Sequence, residues 1–133
     1  MAETIFAHAY EKGIDSQPRK TNIVASLVRD RYVADAVVIL EHTQRKAAKA
    51  VLKAVESANA NLLNNSGKSI DPKTVRIARI FVTSGTRMRR YKPASRGRAL
   101  PYEIISSNIF VEVAGEEKVK KTAEKKAEAK EKK

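Results

Sequence analysis

The chain has 133 residues, a net charge of +12 and no cysteine. That length suits one domain with at most a tail, and the charge points to a polyanionic partner, either nucleic acid or an anionic membrane. The composition leaves no disulfide framework and no thiolate metal site, and no apolar run approaches the ~20 residues of a spanning helix.

The opening MAETIFAHAYEKG lacks a basic start, a long apolar core and a small-residue cleavage site. It does not read as a secretory signal, and a soluble, cytoplasmic protein is expected. Residues 3–10 are expected to form a short edge strand, broken by Gly13. Asp15, Ser16 and Gln17 are candidate caps for a helix with Pro18 in its first turn. Ile23, Val24, Leu27 and Val28 share one face of that helix, which should end near Arg29-Asp30. Val33, Ala36, Val37 and Leu40 repeat the spacing in a short second helix. A third helix, with Thr43 as its cap, carries the apolar stripe Ala47, Val51, Ala54, Val55, Ala58 and Leu62, with Lys46, Lys49, Lys53 and Glu56 off it. Its alanines belong to a closely packed core. NNSGKS stops it, since Asn65 and Gly67 tolerate positive φ, and the acceptor pattern at Asn64-Asn65-Ser66 is accidental in a cytoplasmic chain.

The period then changes to that of strands, over residues 74–83 and 103–113. Between them lies RMRRYKPASRGRA, residues 87–99, with six cations and no acid. Pro93 and Gly97 are its turn residues. One long antiparallel hairpin, about residues 82–104, is expected, its base joined to a sheet. The fold class expected is α+β: three helices packed on a small antiparallel sheet with one long extended β-hairpin. Residues 115–133, almost only Lys, Glu, Ala and Thr, read as a disordered basic tail.

A two-stranded projection buries no core and is marginal in water. Repulsion among Arg87, Arg89, Arg90, Lys92, Arg96 and Arg98 weakens it further. Phosphate would supply counter-charge, and bases and sugars would pack on Met88, Tyr91 and Leu100. Arginine outnumbers lysine five to one in this stretch, and its planar fork suits bidentate phosphate contact and stacking. Arms of about 33 Å at strand rise suit threading between RNA helices.

The ordered motifs PRKTNIVASLVRD, VADAVVILEHTQRKAAKAVLKAVESANANLLNN, IFVTSGTRMRRYKPASRGRA and SSNIFVEV resemble the large ribosomal subunit protein twenty-two family in its bacterial form. The resemblance covers roughly residues 4–114, so it implies a ribosomal-RNA-binding α+β domain at 1–114 followed by the tail. It implies a structural constituent of the large subunit that stabilises the folding of its RNA, touches neighbouring large-subunit proteins, and lines the nascent-peptide exit tunnel with its hairpin tip. It would be a monomer within the particle. By position, the RNA-binding residues would be Arg19, Lys20, Lys46, Arg87, Arg89, Arg90, Tyr91, Lys92, Arg96 and Arg98. The tip would be Met88, Pro93, Ala94, Ser95, Arg96 and Gly97; Gly85 and Ala99 match the hairpin motif as well. The chain departs from the family at Ala94, where arginine is usual, at Asn108, often histidine, and at Asp30, commonly glycine.

An enzyme is excluded on the residues themselves. His8 and His42 stand alone, the carboxylates show no paired spacing, and no metal motif is present. SGKS lacks the earlier glycine of a phosphate-binding loop, Leu62 holding that place, and follows a helix rather than a strand. No cofactor is expected. A membrane role is disfavoured because the tail has no apolar face. A free-standing basic nucleic-acid-binding chaperone is the alternative that charge alone permits.

Overall fold

The computed structural model describes residues 4–65 and 70–116. The tail from 117 onward, Gly67 and Ser66, with the stop and acceptor patterns they complete, lie outside the described residues. The elements are β1 (Thr4–Ile14), α1 (Pro18–Val28), α2 (Val33–His42), α3 (Lys46–Asn65), β2 (Arg76–Pro93) and β3 (Ala99–Glu116). The fold is α+β: three helices packed on a three-stranded antiparallel sheet ordered β1-β3-β2. Gly115 and Glu116 still belong to β3, two residues beyond the expected end of the domain.

The helices form where the apolar spacing places them, but α1 buries Thr21, Val24, Ala25 and Val28 and leaves Ile23 and Leu27 exposed, because the turn that meets the sheet is one position off the expected stripe. The helix ends also differ from expectation. Gln17 is the N-cap of α1, yet no side chain caps it; Pro18 removes one of the donors that would need a cap. Asp15 instead pairs with Lys46. Thr43 does not open α3. It closes α2, with Oγ1 donating to the Ile39 carbonyl at 2.7 Å and its N–H to that of Leu40 at 3.2 Å. A threonine directly after one helix and just before another can satisfy the last carbonyls of the first as readily as the first N–H groups of the second. Asp30, just past the end of α1, adopts φ 60°.

The core lies between helices and sheet. Val24, Val28, Val51, Val55 and Leu62 meet Ile77, Ile109, Val111 and Val113, all almost fully buried. Each such side chain contributes about 1.5–3 kcal/mol, and alanines at 25, 36, 54 and 58 let the helices approach closely. Both sheet edges are covered at the body. Asn61 of α3 donates to the His8 carbonyl of β1 at 3.1 Å. On the β2 side, Val33 N–H donates to the Val75 carbonyl and Ile77 N–H to that of Arg31, each at 2.9 Å.

Ser107 is the last position of β3 with partners on both sides, Ile14 and Ser84. From there to the turn, β3 pairs with β2 alone. The register slips in both outer strands at this point, between Glu11 and Ile14 and between Ser84 and Arg87. Gly13, at φ 71°, donates its N–H to Asn108 Oδ1 at 3.0 Å. Ser106 Oγ donates to the Thr86 carbonyl at 2.8 Å. A Cβ on Gly85 would stand 2.6 Å from Ser106 Oγ and 3.2 Å from Asn108 Oδ1. The two bulges thus close on the Ser106–Asn108 stretch of the central strand and set the root of the arm.

Gly85→Ala forces Ser106 out of its bond to Thr86, and should destabilise the chain by about 1–3 kcal/mol, read as a Tm several degrees lower. No buried residue lies between 81 and 105. Replacing residues 87–104 with an Asn-Gly turn should therefore leave thermal unfolding cooperative, with a Tm no lower than that of the parent; a broad, non-cooperative transition would place the arm within the core.

Candidate nucleic-acid interface

The strand period distributes the arm's charge. Beyond the Gly85 bulge, Arg87 pairs with Ile105, Met88 with Ile104, Arg89 with Glu103 and Arg90 with Tyr102, in register to Pro93 and Ala99. Arg87, Arg89 and Tyr91 therefore share one face with Glu103; Met88, Arg90 and Lys92 share the other with Leu100, Tyr102 and Ile104. An antiparallel sheet ordinarily turns one face to a core. This arm turns neither inward, and cations occupy both. From Gly85 to the turn it spans nine residues, about 30 Å at strand rise.

Glu103 is the one acid between residues 87 and 111. Its carboxylate stands 3.9 Å from Arg87 Nη1 and 3.6 Å from Arg89 Nε. Both arginines stay largely in solvent, so the pairing holds them weakly and leaves most of each guanidinium edge open. Sequence reasoning placed these six cations correctly on one arm but did not see this partner, because Glu103 is remote in sequence and becomes a neighbour only through register. On the other face Lys92 Nζ lies 4.9 Å from the Tyr102 ring centre, and Arg90 Nη2 lies 3.8 Å from Met88 Sδ.

The turn is a single 3-10 turn, Ser95–Gly97. Ala94 N–H donates to the Arg98 carbonyl at 2.8 Å, and Arg98 N–H to that of Ser95 at 3.4 Å. Closing it takes two consecutive left-handed residues, Arg96 at φ 57° and Gly97 at φ 68°. Glycine does this freely; arginine does so at a cost of about 1–2 kcal/mol. Pro93, Ala94, Ser95, Arg96 and Gly97 come together at the tip. Met88 does not: it pairs with Ile104, five positions and about 16 Å along the strand from Pro93.

On the body, a cleft of about 590 Å³ separates α1 and α3 from the arm's root, lined by Lys20, Arg45, Lys46, Tyr102 and Glu103 among others. Both helices begin at this cleft, and neither has an acid in its first turn. α1 carries Arg19 and Lys20 there, and α3 opens on Lys46. Cations beside a helix N-terminus oppose its dipole by about 0.3–1 kcal/mol each, so helix stability does not account for their position. They add instead to the field of the free N–H groups and favour an anion. Lys46 is engaged by Asp15; Arg19 and Lys20 are exposed, Arg19 outside the cleft. Arg45 belongs with this group and was missed, its only signal being the QRK run next to Lys46.

The histidines are accounted for without catalysis. His42 Nδ1 lies 2.9 Å from the Val38 carbonyl at the end of α2, and His8 stacks on Phe110. Among the described residues no cluster of His, Asp and Glu could hold a metal, and no helix is long and apolar enough to cross a membrane.

The family described as Ribosomal protein L22p/L17e matches residues 9–114, which run from β1 through the arm to the end of the sheet. The chain belongs to that family. It is 38% identical over 107 residues to the large ribosomal subunit protein uL22 of Metamycoplasma hominis, covering 80% of this chain and 81% of that protein. It is 36% identical over 117 residues to the protein of the same description from Metamycoplasma arthritidis, covering 86% of this chain and 55% of the longer relative. A ribosomal protein of this family is a structural part of a particle, not an enzyme.

Glu103→Gln removes the arm's one negative partner. It should tighten binding to a structured RNA and make the slope of log K against log salt more negative by roughly one, measured by filter binding across a salt series. An unchanged slope would mean that Arg87 and Arg89 take no part.

Proposed function

We propose that this chain is a structural constituent of the cytoplasmic large ribosomal subunit, in which its arm threads between helices of the large-subunit ribosomal RNA. Its tip, residues 93–97, would line the path of the nascent polypeptide. The observation that carries the reading is a two-stranded arm of about 30 Å with cations on both faces and no core of its own. Such an arm is completed only by a polyanion that surrounds it. A flat nucleic-acid surface would leave Arg87 and Arg89, or else Arg90 and Lys92, in solvent. The cleft with Lys20, Arg45 and Lys46 lies at the arm's root, so one RNA contact continues from body to arm. Neighbouring large-subunit proteins would meet the remaining body surface, with a single copy in each particle.

The arm and turn should give opposite phenotypes. Arg90→Ala with Arg98→Ala removes charge-assisted contacts of about 1.5–3 kcal/mol each, so incorporation in a competitive reconstitution should fall at least tenfold and become salt-sensitive. Ala94→Trp with Ser95→Trp removes no cation, and should leave incorporation nearly intact while ribosome profiling shows new pauses. Equal assembly defects from both pairs, with no new pauses, would remove the tunnel assignment. A free nucleic-acid chaperone, the alternative, would stay at the top of a salt-washed gradient rather than sediment with the large subunit.

A further inference from the structure

The chain has three phenylalanines, Phe6, Phe81 and Phe110, and none belongs to the core. Ile109, Val111 and Val113 of β3 are buried against the helices, so the residues between them, Phe110 and Glu112, lie on the opposite face of the sheet. Register sets Phe110 between Tyr10 of β1 and Phe81 of β2, giving one row of three rings across three strands. Phe81 and Phe110 stack with centroids 4.7 Å apart at 21°, and His8 stacks on Phe110 at 5.9 Å and 17°. Phe6, Tyr10 and Phe81 are 59%, 47% and 45% exposed.

Such rings stabilise a fold most when buried. Here the core is built from Val, Ile, Leu and Ala, while the aromatic rings are held outside: His8 and Phe81 lie nearly parallel to Phe110 on either side of it, and the exposed Tyr10 and Phe81 stay open to a further flat partner. The rim is basic. Lys12 Nζ lies 5.3 Å from the Tyr10 ring centre, and Arg79 Nε lies 3.4 Å from Glu112, the acid of the next row, so its charge is only partly taken up. Parallel rings with cations at their edge, on a chain of net charge +12, match unpaired bases joined by phosphates. The same charge disfavours most other protein surfaces.

We propose that this helix-free sheet face is a second RNA site, separate from the arm, which stacks unpaired nucleotides of a single-stranded segment on Tyr10 and Phe81, the exposed rings on either side of Phe110. It builds on the RNA-binding reading above but does not depend on where the arm goes. The probe is a ten-nucleotide, A-rich, unstructured RNA with a central 2-aminopurine, whose fluorescence is quenched by stacking, titrated with the full chain. The parent should quench it saturably. Tyr10→Leu with Phe81→Leu, both exposed positions, should lose the quench and weaken binding about tenfold or more; Phe81→Leu alone carries the test if the pair unfolds by circular dichroism. Arg90→Ala with Arg98→Ala should keep the full quench at saturation.

Undiminished quenching by the sheet-face variant, or no quench by the parent, would overturn the proposal. So would a quench lost only in the arm variant, which would assign stacking to Tyr91 or Tyr102. A photo-reactive phenylalanine analogue at 81 in reconstituted particles should cross-link RNA; cross-links to protein alone would give the face to a protein neighbour. A chain that quenches the oligonucleotide but fails to enter the particle would sink the subunit assignment and leave this site standing.

Discussion

Everything distinctive in this molecule follows from the unequal pairing of one strand. β3 is hydrogen-bonded on both sides up to Ser107 and on one side beyond it. Where it has two neighbours, the sheet is wide enough to carry helices, and a core forms. Where it has one, no helix can seat, no apolar side chain is buried, and both faces are open to whatever surrounds the arm. The change occurs at two bulges, held by Asn108 on the β1 side and by Ser106 on the β2 side. Thr21 Oγ1, 3.3 Å from Ser107 Oγ, ties the same point of β3 to α1, so the arm leaves the body from a fixed position.

Several residues are placed where they oppose folding. Arg19, Lys20 and Lys46 sit at positive helix ends, Arg96 holds a left-handed backbone, and six cations crowd an arm without a core. For the charged positions the conflict is local and the same remedy serves, an anion brought close, as Asp15 already is to Lys46; the backbone cost at Arg96 is set by the tight turn alone. Local choices that disagree with a chain's own stability are expected where a partner binds, and these cations fit the RNA contact proposed above. The aromatic row on the helix-free face belongs to the same pattern, with apolar rather than charged groups left uncompensated.

Much of this was legible in the sequence. The three helices could be read because their apolar residues recur at 3.6 positions over a turn or more, and the hairpin because strand-like runs flank a basic stretch with turn residues. Less legible were features set by what lies across a strand. Glu103 meets Arg87 and Arg89 only through register, and Phe110 is paired with both Tyr10 and Phe81 only because β3 runs between the outer strands. Gly85 looked like part of a hairpin motif; its need for a missing Cβ depends on Ser106, 21 positions away in the chain. Thr43 was ambiguous in principle, since a hydroxyl between two helices can serve either end, and the chain resolves it in favour of α2.

The arm also has two long free backbone edges. Open strand edges recruit other strands, and proteins commonly guard them with charge. Here the arm's cations are also a guard: with Arg87, Arg89, Arg90 and Lys92 exposed, two copies of the arm repel each other before their edges can pair. That protection disappears once an anion neutralises it. An RNA that enclosed the arm, as proposed above, would at the same moment replace repulsion by steric cover, while a loose polyanion would neutralise the charge and leave the edges exposed. The same charge thus has two consequences, since on the reading proposed above it keeps free copies apart and draws in the polyanion, and protection of the edges then depends on that polyanion being one that can surround the arm.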